Sequence, residues 1–143
     1  MIHPLPSYAY VPGKTPRHAE DAFDAIKADL SADIPTQYLR DTDAFQTGIS
    51  YLENGFYWEA HELLEAIWML CPTGSPERAF VQGIIQVANA CLKRDMDRPA
   101  AADKIIKLAQ TCFESASNDF TTPFWGYTAD DMLNMHYNTK YSC

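Results

Sequence analysis

The segment from Trp58 to Trp68 constrains the fold most strongly, because both faces of the helix that it predicts resist exposure to water. At about 100° per residue, one face is a regular apolar stripe that suits a protein core. The opposite face combines tryptophans with a histidine and carboxylates, and a solvated face rarely carries such large apolar side chains. We therefore expect this face to meet another helix, a ligand or a second subunit. The core stripe is Phe56, Ala60, Leu63, Leu64, Ile67 and Leu70, and the second face is Trp58, His61, Glu62, Glu65, Trp68 and Met69.

Residues 76–94 predict the central helix of the fold, because they are apolar around most of the helical circumference. Ser75 followed by Pro76 is a typical helix start, with a side-chain cap and then proline at the first position. Gly83 lies in the interior of this helix, where it costs stability, and so indicates the close approach of another helix. One narrow polar line remains, formed by Gln82, Gln86 and Asn89.

The rest of the chain predicts further helices separated by short breaks, and no alternating pattern indicates a strand. Prolines and side-chain caps mark where helices begin, and Asn54-Gly55 marks a sharp stop. We expect an all-α fold, a helical bundle of five or six helices that forms a single domain over residues 1–143. The expected helices are 16–34, 42–54, 56–71, 76–94, a long helix capped by Asp97 and a short helix from Thr128 to about Tyr137.

Two segments are rich in aromatic residues but do not have helical periodicity. Residues 1–15 form an extended N-terminal arm, because their prolines disfavour a helix, and Tyr8 and Tyr10 provide apolar area for docking. We expect this arm to touch the helix at 56–71, either as a clamp over the bundle or as a lid that contributes side chains to a site. The aromatic loop at 117–127 should fold back on the body of the protein or pair with another subunit in a homo-oligomer.

The polar residues of the helix at 56–71 can converge above one helical turn. His61 and Glu65 are i,i+4 neighbours, and Glu62 lies beside them. Burying them, or the facing amides, without partners would cost about 1–3 kcal/mol per group. We therefore expect His61 and Glu65 to be largely buried and hydrogen-bonded to residues 82–89. On this view replacing Glu65 by alanine destabilises the fold more than replacing Glu59, which lies at the flank between the two faces.

Three interpretations of this polar group remain open. It can be a structural hydrogen-bond network that fixes which helices pair. It can be a metal-free acid/base site in which His61 and Glu65 exchange protons between walls formed by Trp58 and Trp68. It can also be a metal site, since one imidazole and two carboxylates suit Zn, Mn or Fe.

The ligand count argues against tight metal binding. A zinc protease helix has the pattern H-E-x-x-H, and here Glu65 stands where the second histidine should be. A di-iron bundle needs Glu-x-x-His on each of two helices, and Trp58 occupies the position three before His61. His18 or His136 would have to complete the site. We expect no tightly bound metal or other cofactor, with weak divalent binding at the His61 group as the alternative.

The sequence resembles an all-helical family called domain of unknown function 309. The likeness rests on H-E-x-x-E-x-x-W from His61 to Trp68, on the run from Gln82 to Ala88 and on the opening from Tyr8 to His18. The resemblance implies a small helical bundle without an established activity. Some members of the family carry the label of metal-dependent hydrolase, which would centre on His61, Glu62 and Glu65 here.

Composition excludes several classes of partner. A net charge of −8 and a pI near 4.8 disfavour nucleic acid and anionic membranes, which attract Lys and Arg. No apolar run approaches the roughly 20 residues of a membrane span, and the start lacks the features of a signal peptide. We expect a cytoplasmic protein whose scattered cysteines are free thiols.

Two functions follow as hypotheses. The first is a non-catalytic scaffold or a binding domain for an unknown small molecule. The second is a metal-dependent or acid/base hydrolase. Residues expected to belong to the site or its network are His61, Glu62, Glu65, Trp58, Trp68, Gln82, Gln86, Asn89, Tyr8, Tyr10 and His18.

Overall fold

The computed structural model describes residues 1–117 and 119–137, without the side chains of residues 136 and 137. These residues form five α-helices and two short 3₁₀ helices, and an isolated bridge between Phe124 and Tyr127 is their only extended pairing. The all-α prediction is confirmed. The helices are α1 (Asp43–Glu53), α2 (Tyr57–Leu70), α3 (Pro76–Asp95), α4 (Pro99–Ala116) and α5 (Ala129–Tyr137), and the 3₁₀ helices are Asp24–Lys27 and Thr36–Asp41.

Local capping explains where three of the α-helices begin. The side-chain oxygens of Thr42, Ser75 and Thr128 each accept a hydrogen bond from the backbone N–H three residues later, at 3.0–3.3 Å. Each bond satisfies a donor that the first helical turn cannot pair internally. Gly55 has a φ of 88°, which glycine adopts readily, in the turn between α1 and α2. These starts agree with the sequence signals.

The helix expected over residues 16–34 does not form. This segment consists of turns around the 3₁₀ helix Asp24–Lys27. The cause is tertiary, because the His18 ring bonds to Glu59 on α2 and the Phe23 ring packs edge-on against His18 at 5.1 Å. Such contacts outweigh the modest helix propensity of a short segment.

Asp97 was predicted to cap α4, and this prediction is wrong. Asp97 has a φ of 63°, a left-handed conformation that Asp tolerates better than most residues. The next N–H, of Arg98, donates to the Lys93 carbonyl at 2.8 Å, in the pattern that closes helix C-termini. Asp97 therefore ends α3, and α4 begins at Pro99.

Helix α3 occupies the centre of the bundle and packs against α2, α4 and α5. A Cβ atom at Gly83 would lie 2.5 Å from Cε1 of Phe113 on α4. Only glycine allows this approach, which confirms the prediction from its position. Apolar side chains from every helix join one buried cluster.

The arm and the aromatic loop both pack on the bundle. The Tyr10 ring lies edge-on to the Trp58 ring of α2, with 5.2 Å between centroids, so the predicted docking of the arm is confirmed. In the loop, Phe124 stacks on Phe80 at 4.6 Å, and Trp125 meets Phe45 at 5.4 Å. The loop thus folds back on its own chain, which was one of the two alternatives.

Two expectations drawn from composition can also be compared with the structure. Cys71 and Cys91 are buried free thiols, and Cys112 is a partly buried one. No helix among the described residues is long and apolar enough to cross a membrane.

Candidate functional site

Helix α2 presents His61, Glu62 and Glu65 on one turn. Nε2 of His61 lies 3.1 Å from Oε2 of Glu65 and 3.7 Å from Oε1 of Glu62. The His61 side chain is 20% exposed, but the Glu65 side chain is 52% exposed. The expectation that both residues are largely buried is therefore wrong for Glu65. Met69, assigned to the same face, is also exposed.

The backbone sets the orientation of the His61 ring. Nδ1 of His61 lies 2.8 Å from the carbonyl oxygen of Trp58, one turn earlier. A carbonyl can only accept, so Nδ1 carries a proton and donates it. Nε2 is left facing the two carboxylates, where it can offer a lone pair to a ligand or hold a second proton against Glu65.

Helix α3 faces this turn with its line of amides. A cavity of about 280 Å³ separates the two helices here, and it is lined by His61, Glu65, Trp68, Gln82, Ile85, Gln86 and Asn89. Within residues 1–117 and 119–137, no hydrogen bond joins His61 or Glu65 to an amide of α3. The predicted hydrogen-bond network is therefore wrong as a direct contact. The polar lines meet across a cavity, in which solvent or a ligand can satisfy them.

Three donors of this turn could hold a metal ion. One ligand atom each from His61, Glu62 and Glu65 lies within 4.8 Å of the other two. Metal bonds of about 2.1 Å at 90–109° place neighbouring ligands roughly 3.0–3.4 Å apart, close to the 3.1 Å between His61 and Glu65. The His61 orientation also fits, because metal-binding histidines usually donate their other ring N–H to a carbonyl or carboxylate.

The expected fourth ligands do not complete this group in the described structure. His18 pairs with Glu59 instead, at 2.6 Å between Nε2 and Oε2. The His136 side chain lies outside the described residues. The remaining neighbours on α3 are neutral amides, so the site has three donors from a single helical turn.

Glu59 forms a second polar centre that the sequence analysis missed. Its side chain is fully buried, and Oε2 accepts hydrogen bonds from the Tyr10 backbone N–H at 2.7 Å and from Nε2 of His18 at 2.6 Å. The His18 side chain is only 9% exposed. The placement of Glu59 at an unimportant flank is therefore wrong.

Aromatic rings enclose the His18–Glu59 pair. The Tyr8 ring stacks on His18 with 4.6 Å between centroids, and Trp58 lies 6.0 Å from it on another side. The Trp58 ring is also 5.9 Å from His61. Trp58 therefore lies between the two polar centres, and the structure assigns Tyr8, Tyr10 and His18 to the buried centre rather than to the cavity.

The Glu59 carboxylate contributes to a raised pKa at a neighbouring core residue. Burial and the nearby Glu59 carboxylate raise the pKa of Tyr51 on α1. The Tyr51 hydroxyl donates to the Pro4 carbonyl at 2.8 Å, which holds the arm at a further point. Oε1 of Glu59 is inaccessible and has no hydrogen-bond partner among the described residues.

A signal for Glu59 was present in the periodicity of α2. On the helical wheel Glu59 lies about 20° from Leu70 and 40° from Leu63, inside the arc of the core stripe. Because burying an unpaired charge is costly, a carboxylate in that arc needs a buried partner, or the helix must rotate to expose it. The partner, however, comes from a segment whose position the sequence does not reveal.

Comparison with known protein families finds a resemblance over part of the chain. The model of the family described as Domain of unknown function (DUF309) matches residues 45–105, from α1 into α4. The match contains the His61 turn and the amides of α3, so the resemblance to this family is confirmed. The comparisons with curated proteins and with solved structures find no match. The class that the fold defines is a small helical bundle.

Proposed function

We propose that this protein is a binding domain that holds a small polar ligand in the cavity between α2 and α3. The observation that carries the proposal is the set of polar groups around that cavity. Gln82, Gln86 and Asn89 face it from α3, and in the described part of the chain their amides form no side-chain hydrogen bond. Amides both donate and accept, so a ligand gains directed bonds here that the protein does not already use.

The charges at the cavity favour a cationic ligand. Glu65 lines it and Glu62 lies 3.7 Å from His61, whereas no lysine or arginine in the described part of the chain lines it. The whole chain carries a net charge of −8, which adds a long-range attraction for cations. An ammonium group near Glu65 would form a charge-assisted bond, and amide groups of the ligand would pair with the line on α3.

Nuclear magnetic resonance titration of the ¹⁵N-labelled protein with glycylglycinamide tests the proposal. This probe combines one ammonium group with two amides. We expect saturable shifts of the side-chain amide signals of Gln82, Gln86 and Asn89 and of the Trp68 indole N–H. Glu65→Gln should weaken the affinity about tenfold, because a charge-assisted bond contributes about 1.5–3 kcal/mol.

Glu20→Gln is the matched control, since it makes the same chemical change at an exposed residue outside the cavity. It should leave the affinity unchanged. Shifts that do not saturate, or an equal effect of both substitutions, would show that the cavity is not the binding site.

A metal-dependent hydrolase is the second candidate, and one observation favours it. The Nδ1–H of His61 is committed to the Trp58 carbonyl, which leaves Nε2 directed at Glu62 and Glu65. His61, Glu62 and Glu65 would hold a divalent ion, which supplies Lewis acidity and an activated water when bound. The open, one-helix donor set favours weak affinity, which is why this candidate ranks second.

A further inference from the structure

A second cavity adjoins the first at the start of α3. It has a volume of about 300 Å³, and Trp68 and Gln82 line both cavities. The two cavities therefore share this pair of side chains as a common border. The first cavity has carboxylates at its side, whereas Arg78 lines the second.

Arg78 is held in place but not neutralised. Its Cζ atom lies 3.9 Å from the centroid of the Trp68 ring. Nη1 donates to the Cys71 carbonyl at 3.3 Å and to Oγ1 of Thr73 at 3.1 Å. Within the described residues no carboxylate pairs with this guanidinium, and its Nη2 and Nε form no hydrogen bond. Its planar fork can therefore take a carboxylate from outside the chain.

The opposite charges border one side chain. Trp68 follows Glu65 by three residues on α2, and both residues line the first cavity. Arg78 lies against the Trp68 ring, so a single ligand that lies along Trp68 can contact both charges. An ammonium group would pair with Glu65 and a carboxylate with Arg78.

We propose that the two adjoining cavities together bind one zwitterionic ligand with a peptide group between its charges. The ammonium group of the ligand lies at the His61–Glu65 pair, and its carboxylate bonds to Arg78. The Trp68 ring lies along the side of the ligand. Gln82 faces the middle of the ligand, where a peptide group offers both a donor and an acceptor. This inference rests on the proposed binding function and adds the class of ligand.

Three matched probes test the proposal in the full chain by the same resonance titration. Glycylglycine carries both charges, glycylglycinamide only the cation and N-acetylglycylglycine only the anion. We expect glycylglycine to bind about tenfold more tightly than either singly charged probe, since each lost charge removes one charge-assisted contact. Arg78→Gln should reduce glycylglycine affinity to that of glycylglycinamide and leave the affinity for glycylglycinamide unchanged.

The unchanged binding of glycylglycinamide to Arg78→Gln also shows that the variant keeps its cavity. Lys104→Gln is the control, because it removes an exposed positive charge from α4 and should alter neither affinity. If glycylglycine and glycylglycinamide bind equally well and Arg78→Gln changes nothing, the zwitterion inference is wrong and the binding function stands. If neither probe gives saturable shifts at the cavity, both proposals are wrong.

Discussion

Helix α2 takes part in two close glutamate–histidine contacts, Glu59 with His18 and Glu65 with His61, which differ in burial and in the sequence separation of the partners. Glu59 is fully buried and its partner His18 is 9% exposed, whereas Glu65 is 52% exposed and His61 20%. His18 lies 41 residues before Glu59 in the chain, but His61 and Glu65 are one helical turn apart. The local pair opens onto a cavity, and the distant pair holds the N-terminal arm.

The difference separates a stabilising contact from one that is available to a ligand. Exposed i,i+4 ion pairs on helices contribute about 0.3–0.5 kcal/mol, because water and mobile side chains weaken them. Removing one partner of a buried pair costs about 3–5 kcal/mol, since a desolvated group is left without compensation. The buried pair should therefore carry stability, and the exposed pair should carry binding.

The largest expected effect is that of Glu59→Ala. This change leaves the buried His18 ring and the Tyr10 N–H without their acceptor and opens space in the core. We expect the free energy of unfolding to fall by about 3 kcal/mol or more, measured by urea denaturation followed by circular dichroism.

Glu65→Ala is the matched comparison on the same helix. It should lower the free energy of unfolding by less than about 0.5 kcal/mol. This order is the reverse of the one expected from the sequence. Equal urea midpoints for the two variants would remove the distinction between a structural and a ligand-accessible pair.

Proteolysis tests whether the buried pair holds the arm. Lys14 and Arg17 are trypsin sites, and both lie between Tyr10 and His18, the two residues that donate to Glu59. We expect slow cleavage there in the native protein and about tenfold faster cleavage in Glu59→Gln, because local opening becomes easier when the acceptor is weakened. Glu65→Gln should be cleaved like the native protein. Rapid tryptic cleavage of the native chain after Lys14 would show that the arm is not docked.

Metal addition probes the exposed pair and has a smaller expected effect. We expect the purified protein to contain no stoichiometric transition metal, and Zn²⁺ or Mn²⁺ to raise the melting temperature only slightly, since three donors from one turn bind weakly. His61→Ala should abolish that rise, and His18→Ala should not. About one metal per chain by elemental analysis, lost in His61→Ala, would favour the hydrolase over the binding domain.

The smallest expected effect concerns a further contact of the arm, in which Met1 and His3 bond to Asp43. Hydrogen bonds from the Met1 amino group and from His3 lower the pKa of Asp43 at the start of α1. A lowered pKa in the folded state contributes stability above the unfolded value of about 3.9, and that stability is lost as the pH falls through the folded value. Asp43→Asn should therefore lower the stability slightly at pH 7, and its difference from the native protein should shrink as the pH falls below about 4. An unchanged acid limb in urea midpoints at several pH values would contradict this assignment.

The helices at the centre of the molecule could be predicted because their signals are local. The periodicity and caps predicted 42–54, 56–71 and 76–94, and the structure has Asp43–Glu53, Tyr57–Leu70 and Pro76–Asp95. A cap bonds to its own first turn, and an amphipathic stripe repeats every turn. The segment at 16–34 had similar signals, but its contacts with α2 favour turns over the predicted helix.

The two sites show the same division. The convergence of His61, Glu62 and Glu65 follows from helical spacing alone, and the structure brings their ligand atoms within 4.8 Å of one another. The spacing could not indicate the distance between α2 and α3. Direct hydrogen bonds were therefore predicted where the structure has a cavity. Arg78 was missed because its contact with Trp68 joins two helices across a turn.

By itself, the sequence determined the helical class, the central place of α3 and the group of donors on α2, since each depends on residues within a few positions of one another. Only the tertiary structure decided that Glu59 is buried and Glu65 accessible. Burial depends on which distant segment covers a residue, and Glu59 is covered by the N-terminal part of the chain, which brings the Tyr10 backbone N–H and the His18 ring to it. A carboxylate is stable inside a core only when hydrogen-bond partners reach it. The helical periodicity of α2 does not predict which distant residues supply those partners.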